Sequence, residues 1–164
     1  MSYERHNIKS VSKDLQKFVI NTPVLRFDII DSLCNCNVFF KCENFQHTGS
    51  FKYRAAINAI KKMPVEFKQT GVITHSSGNF AHALARAAYE LKIPCHIVMP
   101  NNTPNFKKSS VLSYTKNVIE CESNLKAREF TTIEILKNKN LYFIHPSNNC
   151  LLYTSPSPRD TEVS

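Results

Sequence analysis

The sequence predicts an α/β protein built on an open parallel sheet with helices on both faces. Short β-branched runs alternate with longer segments whose apolar residues recur every three or four positions, and the connections between them are short. Such strand–helix–strand alternation is typical of a parallel sheet covered by helices. Ligands bind these sheets at the carboxyl ends of the strands, where helix N-termini also point.

The middle of the chain carries the clearest pattern. Predicted strands cover residues 72–75, 95–99, 117–121 and 141–144. Predicted helices cover residues 79–91, 104–114 and 124–139, and we expect the last to be long and amphipathic. Pro100 ends the second strand, and Pro104 suits the first turn of the helix that follows.

The N-terminal third is less regular. Residues 7–18 have a weak helical pattern, and residues 38–43 have the composition of a strand. Residues 51–62 are predicted to form a helix that follows Thr48-Gly49-Ser50.

The composition changes abruptly at Cys150, where CLLYTSPSPRDTEVS has two Ser-Pro steps and no periodicity. Residues 150–160 resemble one reading frame of a sequencing-library adaptor. We therefore expect residues 150–164 to be a non-native tail and the gene to continue past Asn149. A natural disordered tail is the alternative.

Charge and cysteine content exclude several classes of function. The net charge is +8, but the basic residues lie in separate segments and predict solvated faces rather than a nucleic-acid site. The sequence has no run of about 18 apolar residues, so no membrane span is predicted. The first residues lack an apolar signal region, and we therefore expect a cytoplasmic location. The six cysteines form no Cys-x-x-Cys pair, which favours free thiols over a disulfide framework or zinc site.

A first candidate site is KCENFQHTGSFKYR, residues 41–54. Lys52 stands at the start of a predicted helix, where partial burial and the helix dipole both favour the neutral amine. A neutral amine attacks aldehydes, as Schiff-base chemistry requires. Taken alone, the pattern also fits an exposed lysine at a helix start.

A second candidate site is HSSGNF, residues 75–80, between a predicted strand and a predicted helix. Small polar residues and a glycine at a helix N-terminus leave backbone N–H groups free to bind a carboxylate or phosphate. An ordinary helix cap is the alternative, because Ser and Asn favour that position.

Together, the two motifs resemble those of the fold-type-II pyridoxal-phosphate enzymes. The pattern Glu-Asn-x-Gln-x-Thr-Gly-Ser-Phe-Lys-x-Arg followed by Ser-Ser-Gly-Asn is most similar to serine racemases and serine/threonine dehydratases. The resemblance covers roughly residues 15–149. It implies that residues 1–60 are the N-terminal part of a larger, incomplete α/β domain and that residues 61–149 are a smaller α/β domain.

The resemblance also implies roles for individual residues. Lys52 would hold pyridoxal 5'-phosphate as a Schiff base, with Phe51 packed against the ring and Asn79 bonded to its phenolic oxygen. Ser76, Ser77, Gly78 and Asn79 would bind the carboxylate of a small amino-acid substrate. Lys52 would take the α-proton, and Ser77 would be the second acid that racemisation needs.

The implied activity is deamination of L-serine or L-threonine to a 2-oxo acid and ammonia, serine racemisation, or both. Phe80 replaces the usual histidine, and Ala55 the usual glycine. The chain has 3 glycines and no glycine-rich phosphate loop, so we expect it to be inactive alone; an inactive relative that serves as a binding module is the alternative. A homodimer, and a divalent metal whose ligands lie outside this chain, are expected of the full-length protein.

Overall fold

The computed structural model describes the backbone of residues 5–147 and the side chains of residues 10–147. The N-terminal region comprises helix α1 (Arg5–Leu15), strand β1 (Val24–Leu25), helix α2 (Asp28–Cys34), strand β2 (Phe40–Lys41) and helix α3 (Lys52–Lys62). Two short 3-10 turns, Glu43–Phe45 and His47–Gly49, connect β2 to α3. Strands β1 and β2 pair antiparallel, with Val24 opposite Lys41.

The rest of the chain forms a parallel sheet. Its elements are α4 (Phe67–Thr70), β3 (Val72–His75), α5 (Asn79–Glu90), β4 (Cys95–Pro100), α6 (Asn105–Leu112), β5 (Asn117–Cys121), α7 (Leu125–Asn138) and β6 (Tyr142–Phe143). The strand order is β5-β4-β3-β6, so β3 lies between β4 and the late strand β6. All three pairings in this sheet are parallel.

Each face of the parallel sheet packs against helices. Val72, Ile97 and Met99 belong to the larger apolar core, which also contains buried residues of α3, α5 and α6. Ile73 and Val98, on the other face, pack with Ile135 and other residues of α7. Because side chains alternate along a strand, neighbouring residues of β3 and β4 enter different cores. The predicted fold class, a parallel sheet with helices on both faces, is confirmed.

Two predicted elements differ from the structure. The strand predicted for residues 38–43 is reduced to Phe40–Lys41, because the chain turns into a 3-10 helix at Glu43. The helix predicted for residues 124–139 forms, but its apolar residues do not lie on one face. Thr132 is 2% exposed, whereas Phe130, on the far side of α7, is 66% exposed.

Some predictions lie beyond what the structure tests. The division into regions 1–60 and 61–149 stays a prediction, and the tail predicted for residues 150–164 lies outside the described residues. Among the helices of residues 5–147, none combines the length and apolar content needed to cross a bilayer.

The turn into β3 requires a glycine. Gly71 has φ +106°, and a Cβ placed there would lie 2.2 Å from the carbonyl oxygen of Pro94. That oxygen accepts a hydrogen bond from the N–H of Val72 at 2.8 Å. The segments around Gly71 and Pro94 therefore cannot move apart without losing the first hydrogen bond of the sheet. Gly71 therefore fixes the first register contact between β3 and the segment before β4.

We expect Gly71→Ala to lower the free energy of unfolding by about 2–4 kcal/mol, because it adds backbone strain and a steric clash. Chemical denaturation measures this change. Gly78→Ala is the matched control, since φ is −115° there and a Cβ meets nothing within 4 Å; its cost should stay below about 1 kcal/mol. Equal losses in both variants would contradict the prediction.

Candidate functional site

Lys52 lies where the two sequence motifs meet. It is the first residue of α3 and is half-buried, and its Nζ atom is 5.3 Å from the ring centroid of Phe51 and 6.0 Å from that of Phe80. Phe51 belongs to the first motif and Phe80 to the second. Packing of α3 against α5 therefore brings Lys52 close to Phe80, which is 28 positions later in the sequence.

A strained turn leads into Lys52. Thr48 has φ +62° and Gly49 has φ +69°, so two consecutive residues adopt left-handed backbone conformations. The hydroxyl oxygens of Thr48 and Ser50 are buried, and neither has a hydrogen-bond partner among the described residues. Leaving a buried hydroxyl without a partner costs about 1–3 kcal/mol. A polar ligand beside Lys52 would lower that cost. The sequence pattern predicts no role for these two residues beyond the start of the helix.

The second motif forms the loop between the carboxyl end of β3 and α5. The N–H of Ser76 donates to the carbonyl oxygen of Val98 at 3.0 Å, which continues the β3–β4 pairing into the loop. Ser76 is buried, Ser77 and Gly78 are half-buried, and Asn79 is exposed at the first position of α5. Among the described residues, no side chain caps α5 at Gly78. The N–H groups of its first turn can therefore bind an anion, except that of Ala81, which donates to the carbonyl oxygen of Gly78 at 3.1 Å.

Phe80 has a structural role that the motif resemblance does not predict. Its side chain is 3% exposed and belongs to the larger apolar core. It therefore anchors the start of α5 and also forms an apolar wall beside the amine of Lys52. Ala55 and Ala56 are buried as well, so the helix accommodates both methyl groups.

A largely buried ion pair holds the first motif in place. The guanidinium of Arg54 donates to both carboxylate oxygens of Glu43, at 2.8 and 2.7 Å, and the hydroxyl of Thr22 donates to the same carboxylate at 2.6 Å. Burial by itself would raise the pKa of Glu43, but the hydrogen bonds from Arg54 and Thr22 outweigh it and hold the pKa below its usual value. This bidentate geometry is specific to arginine.

Gln46 supplies a second attachment to the same N-terminal segment. Its amide nitrogen donates to the carbonyl oxygen of Ile20 at 2.9 Å, and its amide oxygen accepts from the N–H of Ile20 at 3.0 Å. Arg54 also donates to the carbonyl of Ile20, at 3.1 Å. The motif residues Glu43, Gln46 and Arg54 thus fasten the chain on both sides of Lys52 and require no contact with a ligand to explain their presence.

His75 lies beneath the second motif, on the sheet face that packs against α7. Its ring is 3% exposed and contacts the rings of Phe143 and His145 at 5.5 and 5.2 Å between centroids. Burial, followed by the charges of His145 and Arg128, lowers the pKa of His75. A neutral histidine is therefore favoured at the base of the loop.

We expect Glu43→Gln to lower the free energy of unfolding by about 2–4 kcal/mol at neutral pH, because it leaves Arg54 without its charge partner. The pKa of Glu43 is lower in the folded chain than its ordinary value of 4.5, so the stabilisation is complete above that value and is lost as the pH falls through the folded pKa. Denaturant unfolding should therefore show wild type and variant converging in acid.

The control for this prediction is Glu134→Gln, which removes an exposed ion pair with Lys137. Its effect should stay below about 1 kcal/mol. A difference between Glu43→Gln and wild type that stays constant from neutral pH to strongly acidic pH would contradict the assigned ion pair.

Comparison with known proteins covers nearly the whole chain. The serine racemase of Dictyostelium discoideum is 38% identical over 143 residues, which are 87% of this chain and 44% of the racemase. The structure of maize serine racemase superposes with a TM-score of 0.89 at 34% identity, covering 94% of this chain and 47% of that one. The crystal structure of the T.th. threonine deaminase gives a TM-score of 0.81 at 27% identity, covering 92% of this chain and 47% of that one.

The chain spans less than half the length of these three proteins. Residues 15–154 match the family model described as pyridoxal-phosphate dependent enzyme. The resemblance drawn from the two motifs is confirmed, and the chain belongs to the pyridoxal-phosphate dependent enzyme family.

Proposed function

We propose that the natural protein containing this chain uses pyridoxal 5'-phosphate to convert L-serine or L-threonine to a 2-oxo acid and ammonia, to racemise serine, or to do both. The observation that carries the proposal is the position of Lys52, whose amine lies against the helix that begins with the Ser-Ser-Gly-Asn loop. The similarity to a serine racemase and a threonine deaminase supports the same substrate class.

The residues present fit one side of the cofactor. Lys52 offers an amine at a helix start, and the 47% exposed ring of Phe51 lies beside it as a surface for an aromatic ring. Asn79 is exposed at the N-terminus of α5, and the unpartnered hydroxyls of Thr48 and Ser50 lie in the turn before the lysine. When bound, the cofactor withdraws electrons from the substrate α-carbon.

The residues of the chain would then bind substrate and move protons. The loop from Ser76 to Asn79 would hold the substrate carboxylate at the positive end of α5 through N–H groups other than that of Ser76, which donates to the carbonyl oxygen of Val98. The amine of Lys52 would accept the α-proton. Loss of the β-hydroxyl as water, followed by uptake of water at the amino-bearing carbon, gives the oxo acid and ammonia. For racemisation, the hydroxyl of Ser77 would return a proton to the α-carbon.

The further expectations stay proposals for the whole protein: a small amino-acid substrate, a homodimer, a cytoplasmic location and a divalent metal. Within residues 5–147, no group of three or more His, Cys, Asp or Glu side chains is arranged to hold a metal ion. The alternative role as an inactive binding module gains no support from the relatives described above, which carry enzyme names.

We expect Lys52→Ala to abolish covalent attachment of the cofactor, because no other amine of the described residues has the same position beside Phe51 and the Ser-Ser-Gly-Asn loop. The natural protein containing this chain is incubated with pyridoxal 5'-phosphate, reduced with borohydride, digested and analysed by mass spectrometry. Lys62→Ala, at the exposed end of α3, should label like wild type. A label that persists elsewhere at equal yield in Lys52→Ala would sink the assignment.

We expect Ser77→Ala to reduce serine racemisation by about 100-fold or more, because it removes the proposed second acid. Release of oxo acid should change by less than about tenfold, since dehydration does not need a proton donor at that position. Chiral chromatography and an oxo-acid assay measure the two reactions, with Ser113→Ala in the exposed turn after α6 as control. Parallel loss of both reactions would refute a specific role for the hydroxyl.

A further inference from the structure

We infer that Tyr53 is a positioning residue for Lys52: it fastens the first turn of α3 to the C-terminal half of α5 and so sets where the lysine amine lies. The inference rests on the proposed function, in which Lys52 binds the cofactor. It concerns Tyr53, Arg86 and Glu90, which together we call the tyrosine clamp.

The clamp is a closed set of contacts. The side chain of Tyr53 is fully buried, and its hydroxyl donates to Oε2 of Glu90. Nε of Arg86 donates to Oε1 of the same carboxylate at 2.9 Å. The guanidinium of Arg86 also lies 5.8 Å from the ring centroid of Tyr53, so each of the three side chains contacts the other two.

The protonation states suit these contacts. Burial, aided by the neighbouring carboxylate, raises the pKa of Tyr53 and keeps its hydroxyl as a donor. Burial would raise the pKa of Glu90, but the hydrogen bonds from Tyr53 and Arg86 lower it and keep the carboxylate as an acceptor. Hydrogen bonds to a charged group are the stronger ones in proteins.

Tyr53 and Lys52 reach toward opposite ends of α5. The amine of Lys52 is 6.0 Å from the ring of Phe80, the second residue of that helix. Arg86 and Glu90 lie roughly 9 and 15 Å farther along the axis, at about 1.5 Å per residue. The contacts of Lys52 and Tyr53, which are consecutive residues of α3, therefore lie near opposite ends of α5. An anchor at the far end fixes how far the lysine extends toward the near end.

Tyr53 also contacts the turn that precedes Lys52. The ring of His47, in the 3-10 turn His47–Gly49, lies edge-on at 4.9 Å from the ring of Tyr53. The guanidinium of Arg86 also lies 6.0 Å from the ring of Tyr114, which follows α6. The clamp therefore holds Lys52 through both the helix that begins with it and the turn before it.

The hydroxyl of Tyr53 separates a positioning role from simple core packing. If the ring only filled space, phenylalanine would replace it without effect on Lys52. If the hydroxyl fixes the register of α3, its loss leaves the core filled but frees the first turn. Tyr53→Phe is therefore the decisive variant. Tyr89→Phe is its matched control, because Tyr89 is a 63% exposed tyrosine on the same helix as Glu90.

Two readouts are measured on the natural protein containing this chain, under conditions where every variant is folded by circular dichroism. The first is amide hydrogen exchange of residues 51–54, which needs no cofactor. The second is the rate at which pyridoxal 5'-phosphate becomes trapped on Lys52 by borohydride. In Tyr53→Phe we expect exchange to rise and trapping to slow, each by about tenfold, as for loss of one charge-assisted hydrogen bond. Tyr89→Phe should match wild type.

Glu90 variants keep the test decisive if Tyr53→Phe fails to fold. Glu90→Gln retains an acceptor for the hydroxyl and should give a smaller change than Glu90→Ala, which removes it. Unchanged trapping in Tyr53→Phe, or in Glu90→Ala if Tyr53→Phe does not fold, overturns the inference, even if the melting temperature falls. If wild type itself is not labelled at Lys52, the proposed function fails, and unchanged exchange at residues 51–54 would then overturn the clamp independently.

Discussion

The close packing of α3 against α5 is the contact on which the site depends. Each helix begins at a residue with a proposed role in cofactor binding, Lys52 in one and Asn79 in the other. Both helices bury rows of alanines, among them Ala56, Ala59 and Ala81, each 0% exposed. Small side chains let two helix axes approach closely, and a tightly packed contact resists sliding. The position of one motif relative to the other is thereby set by core packing rather than by the loops that precede the two helices.

Polar contacts fix the register that apolar packing alone does not. The pair formed by Glu43 and Arg54 is bidentate and largely buried, and it attaches the segment from Ile20 to Thr22 to the motif around Lys52. Apolar packing alone tolerates small shifts in register, whereas paired hydrogen bonds do not. A buried charge that loses its partner is costly, so alternative arrangements of this region are disfavoured. Stability and placement of the lysine thus have a common origin.

The sequence was sufficient for the fold class, for the strands 72–75 and 117–121, and for the family, because periodicity and the two motifs act locally. It was insufficient for contacts that join distant positions. Nothing local in Tyr53 or Glu90 indicates a hydrogen bond across 37 residues. The two-residue extent of β2 depends on its pairing with β1 alone, and exposed Phe130 shows that apolar spacing in α7 does not report a buried face. The roles of Lys52, Ser77 and Asn79 came from the family resemblance and stay predictions.

The strand order has a consequence for the way the chain is made. Val72 pairs on one side with Cys95 and on the other with Tyr142, which is 70 positions later. A ribosome releases the chain from its N-terminus, so β3, α5 and β4 can assemble while β6 is still unsynthesised. Until then, one edge of the central strand stays unpaired and can accept a strand from another chain. Closing a loop of this length is also slow, because its entropy cost precedes the contacts that offset it. The late pairing of β3 with β6 therefore defines a window during translation in which a nascent chain is most exposed to pairing with a second copy of itself.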